Sequence, residues 1–308
     1  MGVMDSRDIV ERLKTLRLLP ALLSDRDLTR LNIKQTGLDL YTGKPGDGSE
    51  RFTVPFPIGR IHEILDQSRP WTDYFLFSDN DWDTRRGNAL KILYLLQGYL
   101  CHAVGREPPL IKETAWVARE VDYDAGEELA RITRNGPNWI VSLLLEKKDK
   151  APHVSCFLAD SSLMEGHRLS NAEIWCILEI TRHRLQRYDH SHRPIPVTVF
   201  SASNQELRIV QGYIDDQGCL RVRKSPILDF EGADIYYDTE KKVIVDNRDG
   251  LRLVDLALSW CIGDTVGSTE ADDTQGSPAV GQLAVRPLAQ RTRQRPDEGG
   301  TCAGIHAV

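Results

Sequence analysis

The densest group of polar residues in the sequence is the stretch SDNDWD at 78–83, which follows the apolar run YFLF. Its carboxylates, Asp79, Asp81 and Asp83, alternate along the chain, so they suit a guanidinium, an ammonium group or Mg²⁺. Ser78, at the end of the apolar run, is a candidate nucleophile if a base lies near it. A solvated loop in which an aspartate caps the next helix explains the same residues and is the favoured alternative. The stretch lacks the glycine and the distal glutamate of an EF-hand, which disfavours calcium.

A second polar group, Asp160 and Ser161, follows the apolar run HVSCFLA, with His167 a few residues further on. Polar groups at the carboxyl end of a buried strand occupy the usual ligand crevice of an open α/β sheet. Ser161 is therefore a candidate nucleophile, with Asp160 and His167 as candidate bases. A strand-to-helix loop that only needs polar residues is the alternative.

Glu146 ends the apolar run WIVSLLL and is followed by Lys147 and Lys148, while Asp124 stands upstream. An acid followed by a strand that ends in Glu-x-Lys is the skeleton of the PD-(D/E)XK nucleases, in which two carboxylates hold a divalent metal and the lysine assists the attacking water. Glu146 is thus a candidate catalytic residue. No proline precedes Asp124, and a solvated strand exit explains the lysines, so this hypothesis is the weaker one.

The helix predicted over 171–187 carries two acids among apolar residues. Glu173 stands three positions after Ser170, which is the spacing of a capping box, so its carboxylate is expected to accept from the Ser170 amide. Glu179 is either a buried functional acid or the partner of Arg182 or His183, because an unpaired buried carboxylate costs several kcal/mol, on the order of known charge-burial penalties.

Basic residues are concentrated at the end of that helix and along a later strand. Cations near a helix C-terminus are stabilised in any case by roughly 0.3–1 kcal/mol each. Together with Arg85 and Arg86 they are also suited to contact phosphates on an otherwise acidic protein. The candidates for substrate binding are Arg182, Arg184, Arg223 and Lys224, together with Glu179.

The spacing of apolar runs between 138 and 230 predicts the elements that position these residues. The fold class expected is α/β: a single three-layer domain with a mixed, mostly parallel sheet, N-terminal helices and a disordered C-terminal tail. We predict N-terminal helices and a loop over 1–50, the α/β domain over 51–263 and the tail over 264–308. Ile9, Leu13 and Leu16 form one apolar stripe, and Ser24 with Asp27 has the capping-box spacing that starts a second helix. The segment EELARIT is predicted as a helical turn or short helix.

Composition limits the function classes. The net charge of −6 argues against a protein coated for nucleic acid, and the six dispersed cysteines disfavour a structural zinc site or a disulfide framework. The sequence has no motif of the common nicotinamide, flavin or ATP enzymes. Its histidines are not spaced as metal ligands, and no apolar run is long enough to span a membrane. We therefore expect a soluble cytoplasmic protein without cofactor or metal.

The phrases HVSCFLADSSLMEGHRLSNAEI, PIPVTVFSASNQELRIVQGYI and LRVRKSPILDF resemble a group of filamentous-fungal proteins. Some members of that group are similar to the arginine-containing cyclodipeptide synthases of biosynthetic gene clusters. The resemblance covers roughly residues 70–265 and lies in the residue pattern and the order of the predicted secondary-structure elements. The serine motif of the bacterial cyclodipeptide synthases is not found, so no catalytic residue is carried over from them.

The resemblance implies an enzyme of fungal secondary metabolism that condenses arginyl-tRNA with a second aminoacyl-tRNA to a diketopiperazine. The ester bond to tRNA already activates the acyl group, so no redox cofactor and no ATP are needed. In this scheme the 79–83 carboxylates hold the arginine side chain, Ser161, Asp160 or Ser78 supplies the nucleophile or base, and the basic groups hold the tRNA acceptor end. The alternatives are the metal-dependent nuclease and a non-catalytic interaction protein.

Overall fold

A computed structural model of the chain describes residues 6–66, 85–101, 109–121, 129–131, 138–148, 151–187, 194–231, 236–238, 243–245 and 248–267. The predicted acidic stretch 78–83, Asp124 and the part of the chain from 268 onward lie outside these residues. The helices are α1 (Ser6–Leu16), α2 (Asp25–Arg30), α3 (Ile58–Asp66), α4 (Arg85–Cys101), α5 (Asn171–Arg187) and α6 (Arg248–Cys261), with a short 3-10 helix at Leu110–Glu113.

Nine strands form one large mixed sheet: β1 (Ile33–Gly37), β3 (Trp116–Glu120), β4 (Ala130–Arg131), β5 (Trp139–Lys147), β6 (Val154–Asp160), β7 (Val197–Ser203), β8 (Glu206–Ile214), β9 (Leu220–Lys224) and β10 (Leu228–Asp229). Their order is β1-β9-β8-β7-β6-β5-β3, with β4 also paired to β5 and β10 to β8. Two small sheets accompany it: β2 (Thr53–Val54) with β13 (Asp264–Thr265), and β11 (Tyr236–Asp238) with β12 (Val243–Val245).

The α/β class and the mixed sheet are confirmed. Only β6–β7 and β1–β9 pair in parallel among the described strands of the large sheet, so the parallel share is smaller than expected. The other pairings are antiparallel. Three of them, β5–β6, β7–β8 and β8–β9, join strands that follow each other through short connections, whereas β7 is reached from β6 through the helix α5.

Helices cover both faces of the sheet. On one face α5 packs on the strands with α1 against it, and on the other α4 packs on the strands with α6 against it and α3 against α6. The predicted stripe Ile9, Leu13 and Leu16 is buried in the first of these layers, and the predicted capping box of Ser24 and Asp27 begins α2. This is the three-layer arrangement that the apolar runs indicated.

Three local predictions differ from the structure. The segment EELARIT contains the strand β4 rather than a helical turn, because Ala130 and Arg131 pair with β5. Residues 33–37, in the N-terminal region predicted as helices and a loop, form the edge strand β1. Asp264 and Thr265, assigned to the tail, form β13 against β2. In the described part of the chain no helix is both long and apolar enough to cross a lipid bilayer.

Candidate active site

The two ends of β6 carry different polar groups. Asp160 lies opposite Trp139 in the register with β5, whereas Val154 lies opposite Glu146. A strand of this length spans roughly 20 Å at about 3.3 Å per residue. Asp160 and Ser161 are therefore at one end of the sheet and Glu146 is at the other, so the candidate catalytic residues do not form a single site.

At the first end, Asp160 and Ser161 are engaged in local structure. Asp160 is 2% exposed and accepts hydrogen bonds from the amide and the hydroxyl of Ser162 at 2.9 and 2.8 Å. Burial raises the pKa of Asp160, although these hydrogen bonds oppose the shift. Ser161 Oγ accepts from the Asn138 amide at 2.7 Å, which closes the β5–β6 pair. His167 is exposed and lies beside Glu165, and no contact with Asp160 or Ser161 is found in the described part of the chain.

At the second end, Glu146 meets two arginines. Its Oε1 atom lies 3.6 Å from Arg184 Nη2 of α5 and 3.9 Å from Arg119 Nη2 of β3. Arg184 is buried, whereas about a third of the Arg119 side chain is exposed. In the register of β3 with β5, Val117 lies directly opposite Glu146. Arg119 is two residues after Val117 on the same face of β3, so it is a diagonal neighbour of Glu146.

A cleft of about 340 Å³, part of it open to solvent, lies at this point. Charged and polar lining residues come from β3, β5 and α5, and the floor is apolar. The lining consists of Arg119, Leu129, Leu144, Glu146, Val154, Ile180, His183 and Arg184.

His183, which lines the cleft, is held by the buried carboxylate of Glu179. Its Nε2 atom lies 3.1 Å from Glu179 Oε1, one helical turn away. Arg182 donates to the same carboxylate, with Nε 3.0 Å from Oε2 and Nη2 on Oε1. Burial alone would raise the pKa of Glu179, but the hydrogen bonds from His183 and Arg182 outweigh it and lower the pKa below 4.5. The hypothesis that Glu179 pairs with Arg182 or His183 is confirmed for both.

The Glu179 contact fixes which imidazole nitrogen can act as a base. An ionised carboxylate can only accept hydrogen bonds, so the 3.1 Å contact with Glu179 assigns the proton of the His183 ring to Nε2, in preference to the longer 3.5 Å approach of Arg182 Nη2 to the same atom. In the neutral ring Nδ1 is then the basic nitrogen. A histidine oriented by a buried carboxylate, next to guanidinium groups, can transfer protons while the arginines stabilise negative charge.

The remaining sequence candidates lie elsewhere. Arg223 is fully buried; its guanidinium lies against the rings of Phe52 and Tyr213 and donates to Gln211. It is therefore not part of an exposed basic surface. Lys224 is adjacent along β9 and points to the opposite face of the sheet, because side chains alternate along a strand.

The two lysines that follow Glu146 are also occupied. Lys147 Nζ lies 4.4 Å from the centre of the Trp116 ring, and Lys148 Nζ donates to the Thr114 carbonyl at 2.6 Å. Among the described residues no group of three or more histidine, cysteine, aspartate or glutamate side chains is arranged to hold a metal ion. The Glu-x-Lys pattern therefore does not form a metal centre from the residues that are described.

Arg119, and the role of His183 as a candidate base, were not predicted from the sequence. Arg119 has no local signal, because it joins the site only through the register of β3 with β5. His183 does have one: a histidine four positions after an acid inside an apolar helix is correctly spaced for a side-chain pair. Comparison of the chain with protein-family models, with curated proteins and with solved structures found no match.

Proposed function

We propose that this protein is a biosynthetic enzyme that forms a diketopiperazine from two aminoacyl-tRNAs, with the Glu146 cleft as its reaction centre. The single observation that carries an enzymatic role is the His183–Glu179 pair, which opens on a cleft containing two arginines. The specific reaction comes from the resemblance to fungal cyclodipeptide synthases. The acidic stretch expected to recognise the arginine side chain lies outside the described residues.

In the proposed reaction, the amino group of one aminoacyl ester attacks the ester carbonyl of the other. His183 Nδ1 accepts the proton of the attacking nitrogen, and Arg119 and Arg184 stabilise the oxyanion that develops on the carbonyl. An amide bond forms, the ester C–O bond breaks, and the tRNA hydroxyl leaves with the proton. A second aminolysis within the dipeptidyl ester closes the ring and releases the second tRNA.

The test is production of a diketopiperazine in bacteria that express the chain, followed by mass spectrometry of the medium. We expect a new arginine-containing diketopiperazine with the wild-type protein and its loss with His183→Gln. His167→Gln is the matched control, because that histidine is exposed outside the cleft, and it should leave the yield unchanged. Folded wild-type protein without a product, or full yield from His183→Gln, would reject the proposal.

A second candidate, the PD-(D/E)XK-type nuclease, is favoured by the order of elements. A helix and a parallel strand, α5 and β7, follow β5 and β6 as that hypothesis requires. Its expected signature is Mg²⁺-dependent cleavage of DNA or RNA that Glu146→Ala abolishes. The two arginines beside Glu146 weigh against it, because they neutralise the carboxylate that would hold the metal. If the protein neither formed a diketopiperazine nor cleaved nucleic acid, the remaining hypothesis would be a non-catalytic interaction protein.

A further inference from the structure

We propose that the cleft beside Glu146 is an oxyanion-binding site, in which Arg119 and Arg184 hold a phosphate or a carboxylate and Glu146 takes the ligand's place when the site is empty. This inference deepens the proposed function and takes its biological meaning from it. The ligand chemistry, however, follows from the residues of the cleft alone.

The two guanidinium groups converge on one atom. Arg184 Nη2 and Arg119 Nη2 approach the same oxygen, Glu146 Oε1, from α5 and β3, at 3.6 and 3.9 Å. Both distances exceed the 2.7–3.2 Å of an ordinary N–H···O hydrogen bond. The Glu146 carboxylate is therefore attracted to the two guanidinium groups by their charge and makes no short hydrogen bond to either of them. A ligand oxyanion that reaches hydrogen-bonding distance from both arginines would be held more strongly.

The setting of the site strengthens this attraction. Arg184 is 6% exposed, and the floor of the cleft consists of aliphatic side chains such as Val154 and Ile180. In such surroundings the effective dielectric is lower than in water, so a charge pair interacts more strongly. Arg119, Glu146 and Arg184 all lie on regular elements, which keeps the two cations in place before a ligand binds.

The cleft can accommodate such a ligand. It is partly open to solvent, so an oxyanion can approach the two guanidinium groups from outside. Glu146 is 27% exposed at its side chain and can turn toward solvent when the ligand enters. The same carboxylate then repels the bound anion. It follows that removal of the Glu146 charge should tighten binding rather than weaken it.

The experiment measures the affinity of the full chain for inorganic phosphate and for acetate by NMR titration or calorimetry. We expect Glu146→Gln to raise the affinity for at least one of them about 5- to 10-fold, which corresponds to roughly 1–1.4 kcal/mol. Arg119→Gln should lower it about 10-fold. Arg119 is chosen over Arg184 because its side chain is one-third exposed, so the variant is expected to fold. Arg60→Gln, which removes an exposed arginine paired with Glu63, is the matched control and should change nothing.

The outcomes separate the inference from the proposed function. Stronger binding of phosphate indicates a phosphate ligand, stronger binding of acetate indicates a carboxylate ligand, and either result supports the site. Weaker binding by Glu146→Gln, or no binding of either anion at millimolar concentration, overturns it. Oxyanion binding without any diketopiperazine rejects only the proposed function, whereas a diketopiperazine formed by a protein that binds neither anion rejects only the oxyanion site.

Discussion

Arg208 of β8 holds Glu173 of α5 in a bidentate ion pair within the protein interior. Nε lies 2.6 Å from Oε1 and Nη2 lies 2.6 Å from Oε2, and neither side chain is more than 1% exposed. Arg208 Nη1 donates to the carbonyls of Glu165 and Arg168, both at 2.8 Å, and Glu173 also accepts from the Ser170 amide. One guanidinium therefore fastens the connection between β6 and α5 to the sheet.

Glu173→Gln should destabilise the fold by about 3 kcal/mol or more. The substitution leaves the Arg208 charge buried without its counter-ion, and breaking one partner of a buried pair typically costs about 3–5 kcal/mol. Urea unfolding followed by circular dichroism measures the change. Glu11→Gln is the control, because its ion pair with Lys14 is exposed and such pairs contribute about 0–1 kcal/mol. Similar midpoints for the two variants would contradict the assignment of Arg208 and Glu173 as a structural pair.

The buried Asp160 predicts a pH dependence of known sign. Its pKa is raised from 3.8 by burial, so its contribution to stability is present below that value and is lost as the pH rises through the folded-state pKa. Asparagine imitates the protonated acid and keeps the acceptor for Ser162. The advantage of Asp160→Asn over the wild type in the free energy of unfolding should therefore grow from about pH 4 to about pH 7.

The control for this prediction has the opposite sign. Hydrogen bonds from Ser24 lower the pKa of Asp27, which is exposed at the start of α2. Its contribution is present above its ordinary pKa and is lost as the pH falls, so Asp27→Asn should lose its disadvantage in acid. An Asp160→Asn difference that stays constant over the same pH range would show that the acid titrates alike in the folded and unfolded states.

Local signals in the sequence predicted the elements that depend on near neighbours. The capping boxes of Ser24 with Asp27 and of Ser170 with Glu173 are both present, because each needs only residues three positions apart. The strands β1 and β4 were not predicted, because their stability comes from main-chain pairing: β1 pairs with β9, which is far away in sequence, and β4 pairs with β5. Their few residues carry no alternating apolar pattern.

The sequence pattern also did not predict whether neighbouring strands pair in parallel or antiparallel. Long apolar runs such as 139–145 and 154–159 predict that helices cover both faces of the sheet, and the structure confirms this. They do not report direction, since β5 and β6 are equally apolar and pair antiparallel. The site shows the same division: the Glu179–His183 contact lies within one helix and was anticipated, whereas Arg119 enters through strand register.

Arg223→Lys should loosen the segment that precedes β2. The Arg223 guanidinium donates to Ser49 at 3.0 Å and to Gln211 at 3.1 Å, and it lies 4.8 Å from the Phe52 ring centre. Lysine has no planar group to stack or to make both bonds, so we expect a loss of about 1–3 kcal/mol. Hydrogen exchange should become faster in residues 39–54. Arg221→Lys, on the same strand but paired with Asp215 near the surface, should leave that segment unchanged.

Gly212→Ala tests how closely α5 packs on the sheet. A Cβ atom at 212 would lie 2.7 and 2.9 Å from Cδ1 and Cγ2 of Ile177, both inside van der Waals contact. Overpacking of this kind typically costs about 1–3 kcal/mol, which urea unfolding would detect. Gly59→Ala is the matched control: Gly59 is exposed in α3 and nothing lies within 4 Å of its added methyl, so the variant should gain up to about 1 kcal/mol. Ile177→Ala makes room for the methyl group, so Gly212→Ala should cost less in that background. An equal cost in both backgrounds would show that the strain arises elsewhere.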